Sequence, residues 1–194
     1  MFTQAHTTSP VCGPTRCSLI TGVHPPIHGA IENGMRRRED LEVFPDALTE
    51  AGYTCIMSGK THFGDVPESF TIDYSTSGSH NSKNKDAYTD KLKEHGFDDR
   101  PRSYPHSVPD DLFYDGYTTT MTLKGIDEAL EKNPDAPFFA FCSMLSPHGP
   151  LIPPGEWGEV YTDADLPPFP KNPGTDSEPE HAQKLLALKD QRSR

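Results

Sequence analysis

Tyr53-Thr54-Cys55-Ile56-Met57-Ser58-Gly59-Lys60-Thr61-His62-Phe63-Gly64 is the stretch that decides the fold class. Its opening residues, Tyr53 to Met57, form a short run suited to a strand buried inside a sheet. Upstream, Ala47, Leu48 and Ala51 fall at helical spacing after Pro45, with Val43 and Phe44 just before and Gly52 at the end. Downstream, the run passes directly into Lys60 and His62. Helix, short turn, buried strand and charged side chains at the strand's carboxyl end is the element order of an open α/β sheet. In such sheets ligands bind beyond the carboxyl ends of the strands. On an extended segment Lys60 and His62, two residues apart, face the same way. The plain alternative for them is a solvated loop pair.

A second unit of the same kind lies further along. Between Tyr117 and Lys132, the residues Met121, Ile126, Ala129 and Leu130 predict a helical stripe, which Asn133-Pro134 stops. Pro137 to Leu145 is the most hydrophobic run in the chain and predicts a central strand with its aromatics in the core. It leads into Ser146-Pro147-His148-Gly149-Pro150. Near the amino end, Ser9 to Gly22 reads as a short loop, a cysteine and then a helix. Pro14 suits a first helical position, and Gly22 closes the element. Cys12 then sits at a helix N-terminus, where free N–H groups and the macrodipole favour negative charge. A nucleophile there can be activated and an anionic substrate held beside it. The plain alternative is a half-buried structural cysteine.

Composition limits what else the chain can be. Its 194 residues suit one domain, but hydrophobic content is only 33% and there are 20 prolines, so much of it must be loop. Eighteen basic against 29 acidic residues leave a formal charge of −11, which argues against nucleic acid or an anionic membrane as partner. Arg36-Arg37-Arg38 runs straight into Glu39 and Asp40 and reads as a solvated turn. No apolar run is long enough to span a bilayer. The four cysteines include no Cys-x-x-Cys pair, so zinc, dithiol redox chemistry and an obligatory disulfide framework are not expected. Val23 to Gly29 and the polar, glycine-bearing 65–111 read as loop, with His80, His95 and His106 as exposed loop histidines. His181 to Lys189 begins a further helix.

Cys12-Gly13-Pro14-Thr15-Arg16, followed by Leu19, Thr21 and Gly22, resembles the signature of the type I, formylglycine-dependent sulfatases. Thr15 stands where that family often has serine. Gly59-Lys60-Thr61-His62 resembles the family's second motif, with Thr61 in place of its usual tryptophan. Pro147-His148-Gly149-Pro150 resembles the third. The loop Val23–Gly29 with Asn33, and Tyr161 with Asp163, Asp165, Leu166 and Pro167, also look like the segments that follow the first and third motifs. The three motifs come in the family's order, two of them at predicted strand ends.

The resemblance implies an alkaline phosphatase-like α/β fold: a mostly parallel central sheet flanked by helices, here incomplete at both ends. Residues 1–194 would be a partial catalytic domain, with 65–111 a loop or insertion and 151–180 a proline-rich surface segment. It also implies sulfate-ester hydrolysis. Formylglycine made from Cys12 would supply the nucleophile, and Arg16 would fix and polarise its hydrate. Lys60 would neutralise sulfate oxygens, and His62 would remove the proton whose loss expels sulfate. His148 would donate to the leaving-group oxygen or hold the sulfate. Lys60 and His148 thus also bind substrate.

The residue at position 12, as formylglycine, would be one ligand of a divalent cation, usually calcium. The remaining ligands are expected outside this chain, and Asp163 and Asp165 are not assigned to the metal. Implied partners are a sulfated small molecule or glycan and a formylglycine-generating maturation enzyme. The family suggests a periplasmic or secreted location, although Met1 to Gln4 lacks the charged and apolar regions of a secretory signal. A partial domain of this kind is expected to be inactive alone. Two alternatives remain: a phosphonate or phosphate monoester hydrolase of the same superfamily, and a non-catalytic module that binds a sulfated glycan or partner protein.

Overall fold

A computed structural model describes residues 3–77, 87–98, 100–103 and 105–160. The chain divides into a unit spanning Met1–Gly158 and a second, Glu159–Arg194, of which only residues 159 and 160 are described. The helix expected at 181–189, and Tyr161, Asp163 and Asp165, lie outside the described residues.

The first unit is built on a three-stranded parallel sheet in the order β2-β1-β3. Its strands are β1 (Thr54–Lys60), β2 (Ile72–Ser77) and β3 (Phe138–Ser143). On β1, everything from Cys55 to Lys60 is buried, as expected for a strand paired on both edges. β3 runs parallel to it in the register Thr54 with Phe138 through Gly59 with Ser143. α3 (Phe44–Glu50) precedes β1 and α5 (Tyr114–Lys132) precedes β3, so both helix–strand pairs read from the sequence are present. One core cluster joins Cys17, Ile20, Val43, Cys55, Met57, Phe63 and Phe70, with Phe44, Leu48, Phe139 and Phe141 packed against it. A second gathers Tyr88, Leu92, Val108, Leu112, Tyr114 and Tyr117.

Four expectations change. First, β1, not β3, is the central strand of the described sheet. β3 pairs on one edge only among the described residues, and Phe138 remains 40% exposed. Second, residues 65–111 are not simply an excursion. They supply β2, paired parallel to β1, and α4 (Ala87–Glu94), which buries Tyr88 and Leu92.

Third, the buried stripe of α5 is Tyr114, Tyr117, Thr118, Thr122, Gly125 and Ala129, while Leu130 is exposed. Small residues win this face because the helix lies close to the sheet: a Cβ on Gly125 would stand 2.6 Å from Ile56 Cγ2. The threonines can be buried there because their hydroxyls donate back one turn, Thr118 to Tyr114 O at 2.9 Å and Thr122 to Thr118 O at 2.8 Å. Fourth, the Val23–Gly29 loop contains a single helical turn, α2 (Pro25–His28). His28 is fully buried: its Nδ1 accepts the Ala30 N–H at 3.2 Å, so Nε2 carries the proton offered to Ser18 Oγ at 3.0 Å. That imidazole pins α2 to α1 (Cys12–Thr21).

Candidate active site

The site is built at the carboxyl ends of β1 and β3, where the amino end of α1 meets them. Cys12 is the first residue of α1, Pro14 falls in the same first turn, and Gly22 caps the other end with φ 73°. Proline costs nothing in that turn, whose N–H groups have no helical partner. The Gly13 N–H donates instead to Asn33 Oδ1 at 2.8 Å, and a Cβ on residue 13 would stand 2.9 Å from that oxygen. Glycine beside Cys12 therefore lets Asn33 fix the peptide that orients residue 12.

One turn further, Arg16 reaches across to the sheet. Its Nη1 donates to Lys60 O at 3.1 Å and to Ser143 Oγ at 2.6 Å, stitching together the ends of β1 and β3. Burial lowers its pKa, opposed by electrostatic interaction with Cys12 and Tyr114, and it lines the same cavity as Cys12. Partly buried and fixed at two points, it is a preorganised cation beside the cavity.

β1 ends irregularly. Gly59 has φ 83°, and the register with β2 shifts between Gly59 and Lys60. Such bulges bend a strand and re-aim the next side chain. Lys60 is only 4% exposed, so it is not the solvated loop lysine of the plain reading. His62 has φ 58°, the one non-glycine positive φ among the described residues. The segment is thus not extended at residue 62, and the argument that Lys60 and His62 face alike by alternation does not hold. Their proximity arises differently. Burial pulls the His62 pKa down, and the charges of Lys60, Arg16 and His148 pull it further. His62 Nδ1 is buried without a hydrogen bond. Burial and the neighbouring charges thereby favour the neutral imidazole.

β3 ends at Ser143, and the chain turns through Leu145 and Ser146 to His148. His148 is exposed, and its Nδ1–H donates to Gly149 O at 2.7 Å. Nε2 is therefore the nitrogen that faces a ligand, and it carries a proton only in the imidazolium. An open cavity of about 580 Å³ brings Cys12, Arg16, Lys60, Ser143 and His148 together. Four of the five residues singled out in the sequence line it. His62 is not among its lining residues, although the charges of Lys60 and Arg16 act on it.

Sequence reasoning missed Ser143 and Asp115, and gave Asn33 no role. Asp115 is an acidic residue in a helix's first turn, which by itself signals only dipole compensation. All four cysteines are free. Among the described residues no group of three or more His, Cys, Asp or Glu could hold a metal ion. Position 12 is the one ligand of the divalent cation expected within this chain. No helix among the described residues is long and apolar enough to cross a membrane.

Comparison with known proteins gives a consistent picture. The sequence model described as "Sulfatase" matches residues 1–172. An ulvan-active sulfatase of Formosa agariphila is 25% identical over 179 residues, covering 85% of this chain and 32% of its own length. An arylsulfatase of Clostridium perfringens is 26% identical over 199 residues, covering 86% of this chain and 39% of its own. The chain thus spans about a third of the length of the curated relatives it matches. Two solved phosphonate monoester hydrolases share the fold. That of Silicibacter pomeroyi has TM-score 0.64 and 22% identity over 88% of this chain and 38% of its own. That of Agrobacterium radiobacter has TM-score 0.65 and 20% identity over 94% and 40%.

Proposed function

The chain belongs to the sulfatase family, and from that premise we propose that the cavity lined by Cys12, Arg16, Lys60 and His148 serves the hydrolysis of a sulfate ester. The observation that carries the reading is the place of Cys12. It starts a helix and shares its cavity with a half-buried arginine held by two hydrogen bonds and with a buried lysine. Such an environment favours an anionic group at Cys12 and beside it.

Oxidised to formylglycine, residue 12 would supply, as its hydrate, an oxygen nucleophile for sulfur. Arg16, held by Lys60 O and Ser143 Oγ, orients that group and stabilises negative charge on it. Lys60 takes the charge of the sulfate oxygens. His62, kept neutral by burial and by its cationic neighbours, accepts the proton released as sulfate departs. His148, as imidazolium, gives its Nε2 proton to the leaving oxygen and keeps its Nδ1–H on Gly149 O. Sulfated glycans are the favoured substrate class, supported by the relative named as an ulvan-active sulfatase.

The test has two parts. After co-expression with a formylglycine-generating enzyme, mass spectrometry of the Cys12 peptide is expected to show the aldehyde. In the complete catalytic domain, turnover of an aryl sulfate is then expected to exceed that of a phosphonate monoester, and to vanish in Cys12→Ala and Lys60→Ala. An unmodified Cys12 throughout, or a preference for the phosphonate ester, overturns the reading.

A further inference from the structure

We propose that Asp115 is a positioning residue for His148, acting through the backbone that carries it. The meaning given to His148 rests on the sulfate-ester reading above; the geometry of Asp115 does not. Where β3 ends, the backbone N–H groups of the next residues lose their strand ladder. Asp115, in the first turn of α5, receives them: Oδ1 accepts Leu145 N–H at 2.7 Å, and Oδ2 accepts Ser146 N–H at 3.2 Å. Leu145 then passes the constraint on, because its carbonyl accepts the His148 N–H at 3.0 Å. One carboxylate therefore grips the first two residues of the turn Leu145–His148, and the turn's own hydrogen bond closes it on His148.

The imidazole has little else to hold it. His148 is exposed, and the hydrogen bond found for its ring goes to the adjacent Gly149 O at 2.7 Å. Its place over the cavity is set by its backbone, and its backbone is set by Asp115. The anchor is itself rigid, since α5 packs on the sheet through Thr118 and Gly125, and Ser58 Oγ donates to Thr118 O at 3.0 Å. A carboxylate suits the task better than an amide. It has acceptors on both oxygens, and a helix's first turn favours its charge.

The role predicts a particular kinetic signature. A general acid matters most when the leaving alcohol is poor and least when it is a good, acidic phenol. Moving His148 by about an ångström is expected to lower kcat about 10- to 100-fold for a sulfate ester of a poor leaving alcohol, with KM little changed. An aryl sulfate of an acidic phenol should lose less than about threefold, by the same reasoning on proton donation.

The experiment compares the complete catalytic domain, matured at Cys12, with its Asp115→Asn, Asp115→Ala, His148→Ala and Asp115→Ala/His148→Ala variants across such a series. Asp115→Asn keeps the Leu145 bond and puts an amide donor against Ser146, so it should fall between wild type and Asp115→Ala. The double variant should be no slower than His148→Ala. A uniform loss across the series, or multiplicative losses in the double variant, overturns the proposal. Amide hydrogen exchange at Leu145 and Ser146, with the His148 ring nitrogen shifts, reads the same linkage without turnover. Faster exchange at both amides and shifted ring signals in Asp115→Ala support it, and unchanged values overturn it. If the wild-type protein cleaves no sulfate ester, the proposed function fails while the exchange data still decide the role of Asp115.

Discussion

Replacing Gly59 by alanine tests how the end of β1 is made. Gly59 sits at φ 83°, and a Cβ there would stand 2.2 Å from Ser143 O and 2.7 Å from Thr118 Cγ2. Left-handed backbone costs a non-glycine residue about 1–2 kcal/mol. Forcing a methyl into a packed site costs about 1–3 kcal/mol more, because the obstacle is backbone and cannot rotate away. Gly59→Ala should therefore destabilise the fold by about 2–5 kcal/mol, a large share of the roughly 5–15 kcal/mol typical of a domain. Gly52→Ala is the matched control: φ is 90°, but nothing lies within 4 Å of its would-be Cβ. It should cost only the backbone part, about 1–2 kcal/mol. Urea unfolding followed by circular dichroism reads both. At a slope of about 2 kcal/mol per molar urea, a difference of about 2 kcal/mol separates the midpoints by about 1 M. Equal midpoints for the two variants would refute the account of the close approach between β1 and β3.

Two further outcomes follow from hydrogen bonds at the site. Ser143→Ala removes one of the two acceptors of Arg16 Nη1 and should cost about 1.5–3 kcal/mol in the same unfolding assay, the range for hydrogen bonds to a charged group. Burial holds the His28 pKa below its ordinary value of about 6.5. The unfolded chain then binds the extra proton more readily, so this stability is present above about pH 6.5 and is lost as pH falls through the folded-state pKa. Urea midpoints measured at a series of pH values should show that fall, and it should flatten in His28→Gln.

How much could be read from the chain depends on where the information sits. α3, β1, α5 and β3 announce themselves because each is an apolar pattern ended by glycine, asparagine or proline. β2 does not. Ile72-Asp73-Tyr74-Ser75-Thr76-Ser77 has little apolar character, and it is a strand because β1 presents an edge for it to pair with. Ser75 and Thr76 are buried there, with Thr76 Oγ1 and Tyr114 Oη 2.5 Å apart, a pairing no local pattern encodes. Cys12, Arg16, Lys60 and His148, which share one cavity, stand out in the sequence because motif residues carry their chemistry openly. Ser143, Asn33 and Asp115 do not, because each acts through a partner far away in sequence. The left-handed backbone at His62 was hidden for the same reason, since residue type favours it weakly and the fold around it imposes it.

The hydrogen bond from Arg16 to Ser143 also has a consequence in time. Its two ends are 127 residues apart along the chain. At the roughly 5–20 residues per second of protein synthesis, Ser143 is made about 6–25 s after Arg16. Through that interval the guanidinium lacks one of its two acceptors, and the cavity around Cys12 lacks the wall formed by residues 141–148. The cysteine is meanwhile carried on a nascent segment as an ordinary accessible thiol. The finished cavity is thus a late product of synthesis, complete only once β3 and the residues after it have docked.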